Sequence, residues 1–225
     1  MRTKFLLLFF AVLGFLVMGY HPGIEDDGVY LSAVKSDLNP ALYPHNADFF
    51  RLEMKATCFD RWMADFVRVT HIPVAWSALL WQFTAIFLIL VACWLIARQL
   101  FPDEGARWGA VAMVSAMLTL PVSGTAIYIV DQHLHPRSLA TALILTGVSC
   151  LLARKRWQAV PLVLVAIALH PIMGILGACF CVVLEVALIQ PATVMIPEAD
   201  LAETAATLAV VPFGWIFARP TGIWL

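Results

Sequence analysis

The chain has 225 residues, of which 62% are hydrophobic and 13% charged, with a formal net charge of -1. A soluble domain ordinarily carries about a quarter charged residues, and the apolar residues here come in long blocks that need lipid, or protein buried in lipid, around them. The near-neutral balance removes any bulk electrostatic case for nucleic acid. Of the cysteines, Cys93, Cys150, Cys179 and Cys181 fall inside apolar blocks and only Cys58 in a polar stretch, which is neither a disulfide framework nor a zinc spacing.

In chain order, Arg2 and Lys4 precede an apolar block at 5–20 that lacks a small-x-small cleavage site. It reads as an uncleaved first transmembrane helix with its basic end in the cytoplasm. Residues 21–72 form a long polar loop. It opens on the turn signal His21-Pro22-Gly23, followed by Glu25-Asp26-Asp27. Asp27 is placed to cap a short helix through Lys35 with Tyr30, Leu31 and Val34 on one side, broken by Asn39-Pro40 and Tyr43-Pro44. From Asn46 the recurrence of Leu52, Phe59, Trp62, Met63 and Phe66 predicts a second helix, lying in the membrane interface plane or packed in a small outer subdomain.

Further apolar blocks follow at 73–97, 108–130, 138–153, 158–169, 172–189 and 205–218, with Pro121 and Gly124 expected to kink the second of these. His170-Pro171 divides the 158–189 region. A tight hairpin with His170 at its tip is preferred to one long kinked helix, because proline removes a backbone donor and keeps the preceding residue out of the helical region. The expected fold is therefore all-α: one transmembrane domain over 1–225, a polytopic bundle of about six to seven membrane helices with a long extracytoplasmic first loop. The chain stops at Ile223-Trp224-Leu225 with no polar tail, which suggests the front part of a longer protein.

Charge placement gives an orientation. With the N-terminus inside, Arg98, Arg107 and Arg154-Lys155-Arg156 all face the cytoplasm, and Arg137 is the exception on the far side. The tryptophans Trp62, Trp76, Trp108, Trp157 and Trp215 fall near helix ends, as in an interfacial belt.

Three features could carry chemistry. Within Glu25-Asp26-Asp27 the carboxylates repel one another, which can raise a pKa and suit one of them to general-base work or to a divalent cation; the plainer reading is a solvated acidic turn. Asp131, His133, His135 and Arg137 lie between two blocks. Arginine and histidine there could bind a phosphate, Asp131 with the two histidines could hold a metal, or the stretch is an ordinary polar loop. His170, at the hairpin tip, would face the same side. Glu185 sits in an apolar block and could snorkel or pair with a basic residue.

The stretch Asp26-Asp27-Gly28-Val29-Tyr30-Leu31 after a first helix, followed by amphipathic helices, resembles the GT-C fold of membrane glycosyltransferases that use polyprenyl-phosphate-linked sugars. Ala168-Leu169-His170-Pro171-Ile172-Met173-Gly174 is similar to the Lys-Pro or Arg-Pro turn of many bacterial members, with His in place of the cation. The resemblance implies a catalytic base in the first loop, Asp26 first and Asp27 second with Glu25 beside them. It also implies a donor phosphate met by Arg137, His133, His135 and His170, and a bacterial-type inner membrane. A transporter-like or noncatalytic multi-pass membrane protein is the alternative expectation, motivated by Pro121, His170-Pro171, Glu185 and the abrupt C-terminus.

Overall fold

The computed structural model describes residues 2–45, 47–120 and 128–189, and these are helical with no strand among them. The expected kink at Pro121 and Gly124, the block 205–218 and Trp215 lie outside the described residues.

Helix α1 runs Arg2–Met18. The first loop holds α2 (Asp27–Leu38), a 3-10 turn (Pro40–Leu42), α3 (Ala47–Ala56) and α4 (Phe59–Thr70). Then come α5 (Val74–Leu100), α6 (Glu104–Ala116), α7 (Pro136–Leu152), α8 (Arg156–Leu169) and α9 (Pro171–Ile189). The all-α expectation holds. Among the described residues, two helices are long and apolar enough to cross a membrane, α5 with 27 residues and α9 with 19. The 17-residue α7 and 14-residue α8 are apolar but shorter.

Helix α7 is the centre of the bundle, packed on α5, α8 and α9, while α1 lies against α5 and α6. One core joins Leu7, Ala11 and Met18 of α1 to Ile86, Ile89, Leu90 and Trp94 of α5 and Val111 of α6. A second core joins the loop to the bundle. It gathers Val34 of α2, Phe59, Met63 and Ala64 of α4, Ala78 and Ala85 of α5, and Leu134 and Leu139. Tyr30 and Leu31 pack against it, so the predicted inner face of α2 is the observed one.

Four expectations are corrected. The block 108–130 is not one helix: α6 ends at Ala116, and the Val130 N–H returns to the Leu118 carbonyl at 3.0 Å. Leu120, the residue before a proline, lies outside the helix, as the clash with the following ring requires. The helix predicted from Asn46 is two helices, parted at Thr57-Cys58, where the Cys58 N–H leaves the helical ladder for the Ala168 carbonyl at 2.9 Å. Asp27 does not cap α2; Asp26 occupies the N-cap position without a side-chain bond. Trp108 stacks on Trp94 at 4.0 Å and on Phe10 at 6.1 Å, inside the α1–α5–α6 contact, whereas Trp76 and Trp157 are exposed.

The 158–189 region is the hairpin α8–α9 with His170 between the two helices, and Glu185 forms an ion pair with Arg156. The ends of α1 and α8 and the starts of α5, α7 and α9 lie together under the first loop. Arg98, Lys155 and Gln158 lie at the opposite ends of their helices.

Candidate functional site

The polar groups gather where the first loop meets the bundle. After α1 the chain turns through Gly19 and Gly23, both at positive φ, with Glu25 at φ 50. Gly23 can hold this left-handed conformation without a Cβ penalty, and its N–H donates to the Asp27 carboxylate. That bond folds Asp27 inward, leaving it 1% exposed, while Glu25 and Asp26 remain exposed. The acidic triplet is therefore split: one carboxylate is buried and two face outward.

The stretch before α7 is fastened to the same place. The Gln132 side-chain amide donates to the Met18 carbonyl at 2.7 Å, and the His21 N–H donates to the Gln132 carbonyl at 2.8 Å. From α5, the buried Gln82 side chain donates to the Asp131 carbonyl at 2.6 Å. These bonds set Asp131, His133 and His135, all buried, beneath the first loop. Asp131 forms an ion pair with Arg137. His135 is the N-cap of α7: its Nδ1 accepts from the Arg137 N–H at 3.0 Å. His170 Nδ1 accepts from the Met173 N–H at 3.2 Å. With Nδ1 accepting, each of these neutral rings carries its proton on Nε2 and presents a donor there. The His135 ring lies 5.7 Å from that of His170, 6.0 Å from His133 and 5.0 Å from Tyr30.

His133 differs from its neighbours. It is 1% exposed, and neither ring nitrogen has a hydrogen-bond partner. Asp27 Oδ1, Gln82 Oε1, Asp131 Oδ2, Arg137 Nε and Ser138 Oγ are also buried without a partner. Native proteins leave few such atoms, because each costs about 1–3 kcal/mol. Asp27 and Asp131 interact with the His133 charge, and such a group of unpaired polar atoms suits a polar ligand or ordered water.

Burial sets the electrostatics. It pushes the Asp27 carboxyl up, opposed by the Gly23 N–H bond and by His133 and Lys35. It also raises Asp131, against the opposing pull of Arg137. His135 is pushed down to about 3 by burial and by the nearby Arg137, His170 and His133 charges. His170 is lowered by burial and Arg137. The site thus combines a carboxylate held more basic than usual, two neutral imidazole donors and one guanidinium.

The metal expectation for Asp131, His133 and His135 is corrected. Among the described residues no three His, Cys, Asp or Glu side chains form a metal-holding group. The Asp131 carboxylate is turned to Arg137, and the His135 Nδ1 to a backbone N–H. Of the expected anion-binding residues, Arg137, His133, His135 and His170 come together. Gln82 was not anticipated. Its signal was a lone amide inside the apolar block 73–97.

No family model, curated protein or solved structure matches the chain.

A pH dependence follows from His135. Its folded pKa of about 3 lies below the ordinary 6.5, so the unfolded chain binds more protons between those values. Stability is therefore full above about pH 6.5 and falls as the pH drops toward 3, by about 2 kcal/mol between pH 6.5 and pH 5 from this group. His135→Asn keeps a side-chain acceptor at the N-cap and removes the titration. Thermal unfolding in detergent micelles across this range should show a flatter acid limb for the variant; parallel limbs would show that His135 titrates normally.

Proposed function

We propose that the chain is a multi-pass membrane protein of GT-C type. It would transfer a sugar from a polyprenyl-phosphate donor at the extracytoplasmic face of a bacterial-type inner membrane, with its N-terminus in the cytoplasm. One observation carries the reading: residues from three distant stretches, Asp27, Asp131 to Arg137 and His170, share one end of the bundle under the first loop. The cations Arg98 and Lys155 lie at the other end, which suits an orientation with the basic end inside.

In this reading Asp27 takes the proton of the acceptor hydroxyl, and burial makes its carboxylate a stronger base for that step. The acceptor oxygen bonds to the anomeric carbon as the carbon–oxygen bond to the lipid phosphate breaks. Arg137 and the Nε2–H groups of His135 and His170 then meet the charge that develops on the departing phosphate. Arg137 would share its fork between Asp131 and that phosphate.

The test compares Asp27→Asn with Asp26→Asn in membranes supplied with a panel of polyprenyl-phosphate sugars. Asp27→Asn should reduce transfer at least about a hundredfold, and Asp26→Asn should retain most of it. Full activity in Asp27→Asn would end the base assignment. Of the features behind the transporter-like alternative, Pro121, His170-Pro171 and Glu185, the last is paired with Arg156, which favours a neutralised anchor over a charge awaiting cargo.

A further inference from the structure

At the end of the bundle away from the candidate site, α5, α7 and the start of α8 line an open cavity of about 400 Å³. Arg98, Gln99, Ser149, Lys155 and Gln158 supply its polar lining, and Leu95 and Cys150 part of its apolar one. Its wall is fixed by Gln99, whose side-chain amide donates to the Ser149 carbonyl at 3.0 Å and to the Ser149 hydroxyl at 3.2 Å.

The cations at this end are not equivalent. Arg154 donates to the Leu188 carbonyl at 2.8 Å, tying the turn to the end of α9. Arg156 is paired with Glu185, and Arg107 donates to the Phe101 and Pro102 carbonyls. The side chains of Arg98 and Lys155 have no hydrogen bond or ion pair among the described residues, and both line the cavity. Two uncommitted cations around one polar hollow, with the Gln158 amide beside them, suit a phosphate.

The surroundings favour a lipid as the source of that phosphate. The first turns of α8 also border an apolar groove of about 350 Å³ between α8 and α9, lined by Val160, Val163, Leu164 and Val182. Trp157, 88% exposed, lies in the chain between Arg156, which borders the groove, and Gln158, which lines the cavity. A headgroup hollow next to an apolar slot, with an aromatic at the boundary, fits a phospholipid better than a free anion.

We infer that the cavity lined by Arg98 and Lys155 binds the phosphate of an anionic phospholipid headgroup, with an acyl chain along the α8–α9 groove. This rests on the membrane reading above but not on sugar transfer.

The test uses the full chain purified in detergent and reads retained lipid by native mass spectrometry, together with the thermal unfolding shift. Wild type should retain phosphatidylglycerol over phosphatidylcholine by about thirtyfold, and Arg98→Gln/Lys155→Gln should lose most of that preference. Both positions are exposed, so the double variant should fold, as far-UV circular dichroism would check. Arg2→Gln/Lys4→Gln removes as much charge elsewhere and should leave the preference in place. An unchanged preference in the cavity variant would overturn the site. Inorganic phosphate alone reproducing the full thermal shift would overturn the lipid as occupant. Failure of the wild-type chain to float with phosphatidylcholine vesicles would instead overturn the membrane reading itself. Loss of sugar transfer would touch neither result.

Discussion

Replacing Asp131 with alanine is expected to destabilise the fold by about 3–5 kcal/mol, the range for leaving one member of a buried ion pair alone. Arg137 is 17% exposed at its side chain, and Asp131 is the carboxylate it pairs with. The nearby imidazoles offer no compensation: His135 is neutral at physiological pH, and both it and His170 turn Nδ1 to backbone N–H groups. The penalty should fall sharply in Asp131→Ala/Arg137→Met, because removing both charges removes the uncompensated one. A double-mutant cycle by thermal unfolding in detergent would give the coupling. A loss below about 1 kcal/mol for Asp131→Ala would mean that the pair is solvated, as surface pairs are.

The second large effect lies in the hairpin. A Cβ on Gly174 would sit 2.3 Å from the Ile167 Cα, 2.5 Å from its N and 2.8 Å from the Ala166 carbonyl carbon. These are backbone atoms and cannot rotate aside, so α8 and α9 must separate. Separation would disturb His170, which is held by the Gly174 N–H to its carbonyl at 2.8 Å and the Met173 N–H to its ring. It would also strain the Cys58 to Ala168 bond that ties the first loop down. Gly174→Ala should therefore cost about 3 kcal/mol, the upper end for overpacking. Gly177 is the internal control. Its added Cβ would meet Ile144 Cδ1 and Cγ1 at 2.5 Å and Cγ2 at 2.7 Å, side-chain atoms that can shift by a few tenths of an ångström where the Ile167 backbone cannot. Gly177→Ala should cost about 1 kcal/mol, and equal costs for the two variants would contradict the backbone crossing.

What the residues announced and what they concealed divide along physical lines. Local chemistry was legible. Proline after His170 breaks the helix, and Tyr30, Leu31 and Val34 recur at helical spacing, so the hairpin and the inner face of α2 could be anticipated. Long-range bonds were not. The aromatic periodicity runs unbroken from Leu52 to Phe66, so nothing local shows that the Cys58 N–H leaves its helix for Ala168. Adjacent carboxylates look alike in sequence. Which one turns inward is decided by the Gly23 N–H reaching Asp27, a bond that depends on two positive-φ residues in the turn. Gln82 was hidden for a similar reason: its partner is a carbonyl 49 residues away. Trp108 near a helix end looks interfacial until α1 and α5 are brought to it.

The account stands or falls on the first loop meeting the 131–137 stretch, and that meeting can be captured covalently. The His21 N–H and the Gln132 carbonyl are 2.8 Å apart, which brings the two chains within disulfide reach. In a background with the native cysteines replaced, His21→Cys/Gln132→Cys should oxidise within single chains in intact membranes, joining the two segments after proteolysis. Free, fully labelled thiols at both positions, or linkage only between separate chains, would contradict it.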